Sequence, residues 1–205
     1  MNRFYLIICL IFFSNEIKSE TVSCKNLLLL EGLKYKISSN IPFSGKCINF
    51  YDNGKIHLVE NFLDGKRNRE SIHYFDSGQI LSIEYFKNGF KSGLSKTYYE
   101  NGILKSITNY RKNLMHGDYR SYLDNGNLYI LRAYKNGLKN GEERNFYNNG
   151  RLKEIINYRF DERSGDYLKF FKKNGQIMER RYYRKGKQDE KKRIQYFENG
   201  KIKPN

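Results

Sequence analysis

Hydrophobic positions return along this chain on a ruler of about two dozen residues. Gly54, Gly78, Gly102, Gly126, Gly150, Gly175 and Gly200 are spaced 24, 24, 24, 24, 25 and 25 residues apart, most of them in an Asn-Gly dipeptide. Two residues after each glycine stands an aliphatic residue: Ile56, Ile80, Leu104, Leu128, Leu152, Ile177 and Ile202. Eight after it stands an aromatic one: Phe62, Phe86, Tyr110, Tyr134, Tyr158 and Tyr183. Four and three before it lie Phe50-Tyr51, Tyr74-Phe75, Tyr98-Tyr99, Tyr122-Leu123, Phe146-Tyr147 and Tyr196-Phe197. Phe170-Phe171 sits one place further back, which puts that copy's extra residue in the turn Lys172-Lys173-Asn174-Gly175. A fixed period of this length marks a repeat array, whose units bury their apolar faces against one another.

The columns predict two strands and two turns per copy. Asn-Gly favours a two-residue type I′ turn, whose central residues both need φ > 0, so the seven glycines are expected at hairpin tips. Eleven residues past them stand Gly65, Gly89, Asn113, Gly137, Asp161 and Gly186, residue types that tolerate left-handed backbone. That column marks the opposite turn. A further glycine column, Gly45, Gly93, Gly117, Gly141 and Gly165, is broken by Arg69 and Glu190 and suggests a bulge or a close backbone approach. Helix is not expected where a turn signal arrives about every 12 residues. The predicted fold is all-β: an elongated array of about seven stacked antiparallel hairpins over residues 45–205, its fourteen strands making a ribbon ~65 Å long. One column breaks the alternation. Val59, Ile83, Ile107, Leu131 and Ile155 lie five past the glycine, opposite in parity to offsets two and eight. Either a bulge rephases the strand or both faces are partly covered.

Charge adds a second constraint. Lys and Arg number 38 against 22 Asp and Glu, a net charge of +16 spread along the whole length. Such a field favours anionic partners, or simply keeps a surface solvated. At the N-terminus, Arg3 precedes a ten-residue apolar run, Phe4 to Phe13, and Ile17-Lys18-Ser19 offers a cleavage site before Glu20. Residues 1–19 read as a signal peptide, since a bilayer span needs ~20 apolar residues. Residues 20–44 form an entry segment. Cleavage would leave two cysteines, Cys24 and Cys47, expected to pair in an oxidising compartment; two reduced thiols are the alternative.

With these columns in view, the chain resembles the MORN-repeat-variant proteins, and in particular the bacterial group named YwqK-family antitoxins. Tyr134-Lys135-Asn136-Gly137-Leu138-Lys139-Asn140-Gly141 carries the pattern best. Gly32-Leu33-Lys34-Tyr35 followed by Pro42-Phe43-Ser44-Gly45-Lys46 looks like the family's entry motif. The resemblance runs from about Gly32 to Lys203 and implies short hairpins stacked in a curved sheet, with roles in protein or lipid contact. It implies no catalytic residues.

Chemistry in the side chains is sparse. His57, His73 and His116 fall at three different offsets and form no ligand set with metal spacing. Glu60 and Glu84 share one offset and are expected to pair with basic residues across strands. No nucleophile elbow, phosphate loop or metal signature occurs, so no catalytic, cofactor or metal site is expected. The densest run of basic and aromatic residues is Arg180, Arg181, Tyr182, Tyr183, Arg184, Lys185 and Lys187. It is either an anion-binding patch or a charged cap that blocks end-to-end stacking. The expectation is an exported, non-enzymatic scaffold that docks a protein partner through a basic sheet surface. Binding of anionic lipid or an envelope polymer, or neutralisation of a protein toxin, are the alternatives; nucleic acid is disfavoured by the signal segment.

Overall fold

In a computed structural model the described residues are 20–204, so the expected signal segment lies outside them. The chain runs through β1 (Thr21–Ser23), a 3-10 turn (Cys24–Asn26), β2 (Leu27–Leu30), β3 (Leu33–Lys36), β4 (Gly45–Phe50), β5 (Ile56–Leu63) and β6 (Lys66–Tyr74). It continues through β7 (Ile80–Lys87), β8 (Phe90–Lys91), β9 (Gly93–Tyr98), β10 (Leu104–Arg111), β11 (Leu114–Tyr122) and β12 (Leu128–Lys135). The last strands are β13 (Leu138–Phe146), β14 (Leu152–Arg159), β15 (Glu162–Phe170), β16 (Ile177–Arg184) and β17 (Lys187–Gln195).

From β4 onward each strand pairs antiparallel with the next in sequence, and β1 joins β4 in parallel at the N-terminal edge. The result is one long sheet of fourteen successive strands, with β8 a short piece of the strand that β9 continues. β2 and β3 make a separate two-stranded sheet against the first turn: Lys34 N–H donates to the Gly65 carbonyl, and Gly65 N–H donates to the Phe43 carbonyl, both at 2.8 Å. Leu27, Phe43, Cys47 and Phe62 form the core of this cap.

The two turns exchange the roles that the dipeptides suggested. The type I′ turn is the one eleven residues past the glycine ruler. Asn88-Gly89 and Asn136-Gly137 both have positive φ, and so do Lys112-Asn113 and Phe160-Asp161, where no glycine is present. Leu63 pairs with Lys66 and Arg111 with Leu114, which leaves two-residue loops. At the ruler itself Gly54 donates to the Tyr51 carbonyl at 3.0 Å, and Tyr51 donates to the Lys55 carbonyl at 2.8 Å. That is a three-residue loop, a type I turn closed by a left-handed glycine. Gly54, Gly78, Gly102, Gly126, Gly150, Gly175 and Gly200 all have positive φ, but Asn53, Asn101, Asn125, Asn149 and Asn199 do not. The expected type I′ geometry at these tips is therefore corrected: loop length decides the turn, and here it is three. Gly175 donates four residues back, to the Phe171 carbonyl, so the extra residue of that copy lies in the turn.

The asparagine has a different task. Asn101 Oδ1 accepts from Ile103 N–H at 3.0 Å, and its Nδ2 donates to the Asp124 carbonyl of the next copy at 3.2 Å. Asn53 and Asn174 make the same pair of bonds. Tyr51, Tyr99 and Tyr147 also reach across copies, each hydroxyl donating to a carbonyl at 2.7–2.9 Å.

A bulge settles the parity of the columns. Phe50 faces Ile56 and Asn49 faces Leu58, so His57 is extra; the same shift recurs in the later copies. Offsets two and five consequently share one face, and offset eight lies on the other. The shared face expected for offsets two and eight is corrected by this one-residue insertion. A second irregularity, at Arg69 and the glycines 117, 141 and 165, sets three residues against one across β5–β6, β10–β11, β12–β13 and β14–β15.

The faces differ in packing. On the packed face lie Phe62, Phe86 and Tyr183, with buried Ser71, Ser82, Ser95, Thr108, Glu143 and Tyr167 beside them. Cations cover the aromatic column: Arg67 over Phe86, Lys91 over Tyr110, Lys139 over Tyr158 and Arg163 over Tyr183, at 4.2–5.3 Å. On the open face an apolar row crosses the sheet strand by strand. It alternates Phe50, Tyr74, Tyr98, Tyr122, Phe146 and Phe170 with Ile56, Ile80, Leu104, Leu128, Leu152 and Ile177.

Candidate interaction surface

Antiparallel pairing of consecutive strands puts every type I′ turn on one long side of the sheet and every ruler turn on the other. Neighbouring type I′ turns bond directly: Gly89 N–H to the Arg67 carbonyl, Asn113 to Lys91, Gly137 to Met115, Asp161 to Lys139 and Gly186 to Arg163, at 2.8–3.0 Å. This locks them into a continuous rim.

The two rims carry different charge. The type I′ turns with their flanking strand residues comprise 63–66, 87–90, 111–114, 135–138, 159–162 and 184–187. They hold nine cations, Lys66, Lys87, Arg111, Lys112, Lys135, Arg159, Arg184, Lys185 and Lys187, against Asp64, Asp161 and Glu162. All nine are exposed, and among the described residues none forms an ion pair. Exposed apolar side chains stand between them: Phe90, Leu114, Leu138 and Phe160. The ruler-turn rim instead balances Asp52, Asp76, Glu100, Asp124 and Glu198 with Lys55, Arg151, Lys172, Lys173 and Lys201. There Lys55 and Arg151 donate to turn carbonyls of the next copy.

Only part of the dense C-terminal run joins this rim. Strand alternation divides it. Arg184, Lys185 and Lys187 reach the rim. Arg180 lies on the open face, paired with Asp166 at 3.1 Å, and Tyr182 lies beside it beneath Lys192. Arg181 and Tyr183 point to the packed face, where Arg181 binds Glu179 and Tyr183 is buried. The seven residues do not make one patch, because neighbours along a strand face opposite ways. The sequence signal overlooked was the column nine past the ruler, Lys87, Arg111, Lys135, Arg159 and Arg184.

The packed face holds its charges in pairs. Arg67 meets Glu60 and Lys91 meets Glu84, the two glutamates flanking Ser71. Arg132 binds the buried Glu143, which Lys139 also approaches. Burial alone would raise the Glu179 carboxyl, but bonds from Arg181 and Arg193, with Gln195, hold it below the ordinary carboxylate range. Burial and a hydrogen bond to the Glu154 carboxylate push the Tyr167 phenol well up. The rephasing bulge also brings His57 within 6.4 Å of His73, ring to ring, so these two are neighbours after all. Cys24 and Cys47 are joined by a disulfide that ties β1 and the 3-10 turn to β4. A shallow, open groove of about 630 Å³ is lined by exposed Asn149, Arg151, Lys172 and Lys173.

No curated protein matches the chain. Residues 70–88, 91–112, 115–136 and 139–159 match the MORN repeat variant, each segment running from one type I′ turn to the next; the chain is thus a repeat protein carrying four detected MORN-variant units.

Proposed function

We propose that the chain is an exported, non-enzymatic binding ribbon whose type I′ rim lies on an anionic bilayer surface. The carrying observation is nine exposed, unpaired cations in one file, interleaved with Phe90, Leu114, Leu138 and Phe160. Cations near acidic headgroups each contribute about 1 kcal/mol, and the apolar side chains suit the headgroup boundary. The Cys24–Cys47 disulfide supports an oxidising compartment. Docking of a protein partner on the sheet face, the reading that the sequence puts first, would use a different surface and leave the rim free.

The test is co-sedimentation of the purified protein with vesicles that contain or lack acidic lipid. Binding to acidic vesicles that weakens with salt is expected. The triple variant Lys87→Glu, Arg111→Glu, Lys135→Glu should bind roughly a hundredfold or more weakly. Equal binding to neutral vesicles, or an unaffected variant, would overturn the reading. Mass spectrometry of the mature N-terminus tests export: a species starting near Glu20 is expected, and one retaining Met1 in the cytoplasm refutes it.

A further inference from the structure

We infer that the open face of the ribbon is the contact surface between two copies of this chain, independently of what the rim binds. Its apolar row crosses twelve strands, from Phe50 on β4 to Ile177 on β16, without a charged interruption. Neither strand layer nor helix covers it along β5–β17 among the described residues. Phe50 is 50% exposed, Ile56 36% and Ile80 38%, and the other nine residues of the row are partly buried.

The dimensions suit a stable dimer. Twelve strands at ~4.8 Å make a row roughly 53 Å long; with the flanking row beside it, apolar except for Lys96, Arg120, Arg144 and Arg180, the band is about 13 Å wide. That is roughly 700 Å² on each copy and about 1,400 Å² in all, within the range of specific interfaces.

Period and charge select the occupant. Aromatic and aliphatic residues alternate along the row with a repeat of about 10 Å, two strand spacings. A second copy has the same period, so a shift of one strand sets each aromatic ring against an aliphatic side chain of its partner. Three of the four cations in the flanking row are paired, as Arg120–Asp118 at 3.3 Å, Arg144–Glu142 at 2.5 Å and Arg180–Asp166 at 3.1 Å, and Lys96 is the fourth. On a chain of net charge +16, a second basic chain meets less repulsion on this face than at the type I′ rim, and an anionic ligand gains less. The apolar row lies toward the ruler turns, so overlap there leaves both type I′ rims outside the contact.

Sedimentation velocity of the purified protein tests this. A monomer–dimer equilibrium is expected at tens of micromolar or below. Dimer should increase between about 50 and 500 mM salt, because screening reduces repulsion between like-charged copies. Ile80→Lys with Leu104→Lys should weaken dimerisation by about tenfold or more, since a buried contact would acquire unpaired charge. Ile56→Lys, one copy earlier in the row, serves as a second variant, and thermal melting checks that each remains folded. Lys87→Glu with Lys135→Glu on the rim should leave dimerisation intact. Wild-type protein that stays monomeric at both salts would overturn the inference. So would folded stripe variants that associate like wild type, or capture of the row by neutral phosphatidylcholine vesicles. Failure of acidic vesicles to bind would refute the rim reading alone.

Discussion

Asn101 and Gly102 share a dipeptide but act on different links of the structure. Gly102 supplies a left-handed backbone that closes its own turn, and Asn101 ties that turn to the next copy. Asn101→Ala removes two hydrogen bonds at an exposed rim and should cost about 1 kcal/mol, read by urea denaturation. Gly126 has φ +84 and open space where a side chain would stand, so Gly126→Val is penalised through backbone alone, by roughly 1–3 kcal/mol. Gly137→Asn should be nearly neutral, because Asn113 already occupies the equivalent place at φ 69. A thermal melt of both variants separates these outcomes. Glu179 adds a pH dependence. Its folded pKa is depressed, so its contribution is complete above the unfolded value of about 4.3 and fades as pH falls through the lower folded value. Glu179→Gln should therefore be destabilising at neutral pH, with the gap to wild type shrinking in acid; an unchanged gap at about pH 3 would refute the assignment.

At the scale of elements, each hairpin is held by its neighbours rather than by a second layer. The Asn and Tyr bonds and the cation-covered aromatics all run from one copy to the next. Removal of one whole unit, residues 103–126, should leave a folded but less stable ribbon, because the cut joins equivalent ruler positions. Removal of half a unit should not, since it joins a ruler turn to a type I′ turn and inverts the strand order. At the N-terminal end the disulfide encloses a separation of 23 residues, for which chain entropy suggests about 3 kcal/mol. Reduction should raise amide exchange in β1 and β4 first and leave β14–β16 unchanged, as measured by hydrogen exchange. Uniform loosening would show instead that the array unfolds as a single unit.

For the whole molecule, asymmetry between the two rims is the feature that matters. Net charge alone describes a basic chain; strand order gathers the unpaired part of that charge onto one side. The two surfaces predict opposite responses to salt: anion binding at the rim weakens, and association through the open face strengthens. Both can be followed on one sample. If both fall together, the two surfaces are not separate.

The chain's period, its seven ruler turns and its all-β array were legible in the amino-acid order, because turn residues and strand residues differ in local backbone preference. The pairing of Cys24 with Cys47 was also an expectation from their number. Three things were not legible. Asn-Gly occurs in both turns, at Asn101-Gly102 and Asn136-Gly137, and only the strand register distinguishes a three-residue loop from a two-residue one. The bulge at His57, like its equivalents, exchanges the face of the side chains that follow it in its own strand, and a bulge exists only relative to a partner strand. The run from Arg180 to Lys187 is continuous in sequence but divided in space, while Lys87, Arg111 and Lys135 are distant in sequence and adjacent on one rim. Local chemistry determines which elements form. Which side chains share a surface is decided by register between strands, and that is a property of the folded sheet.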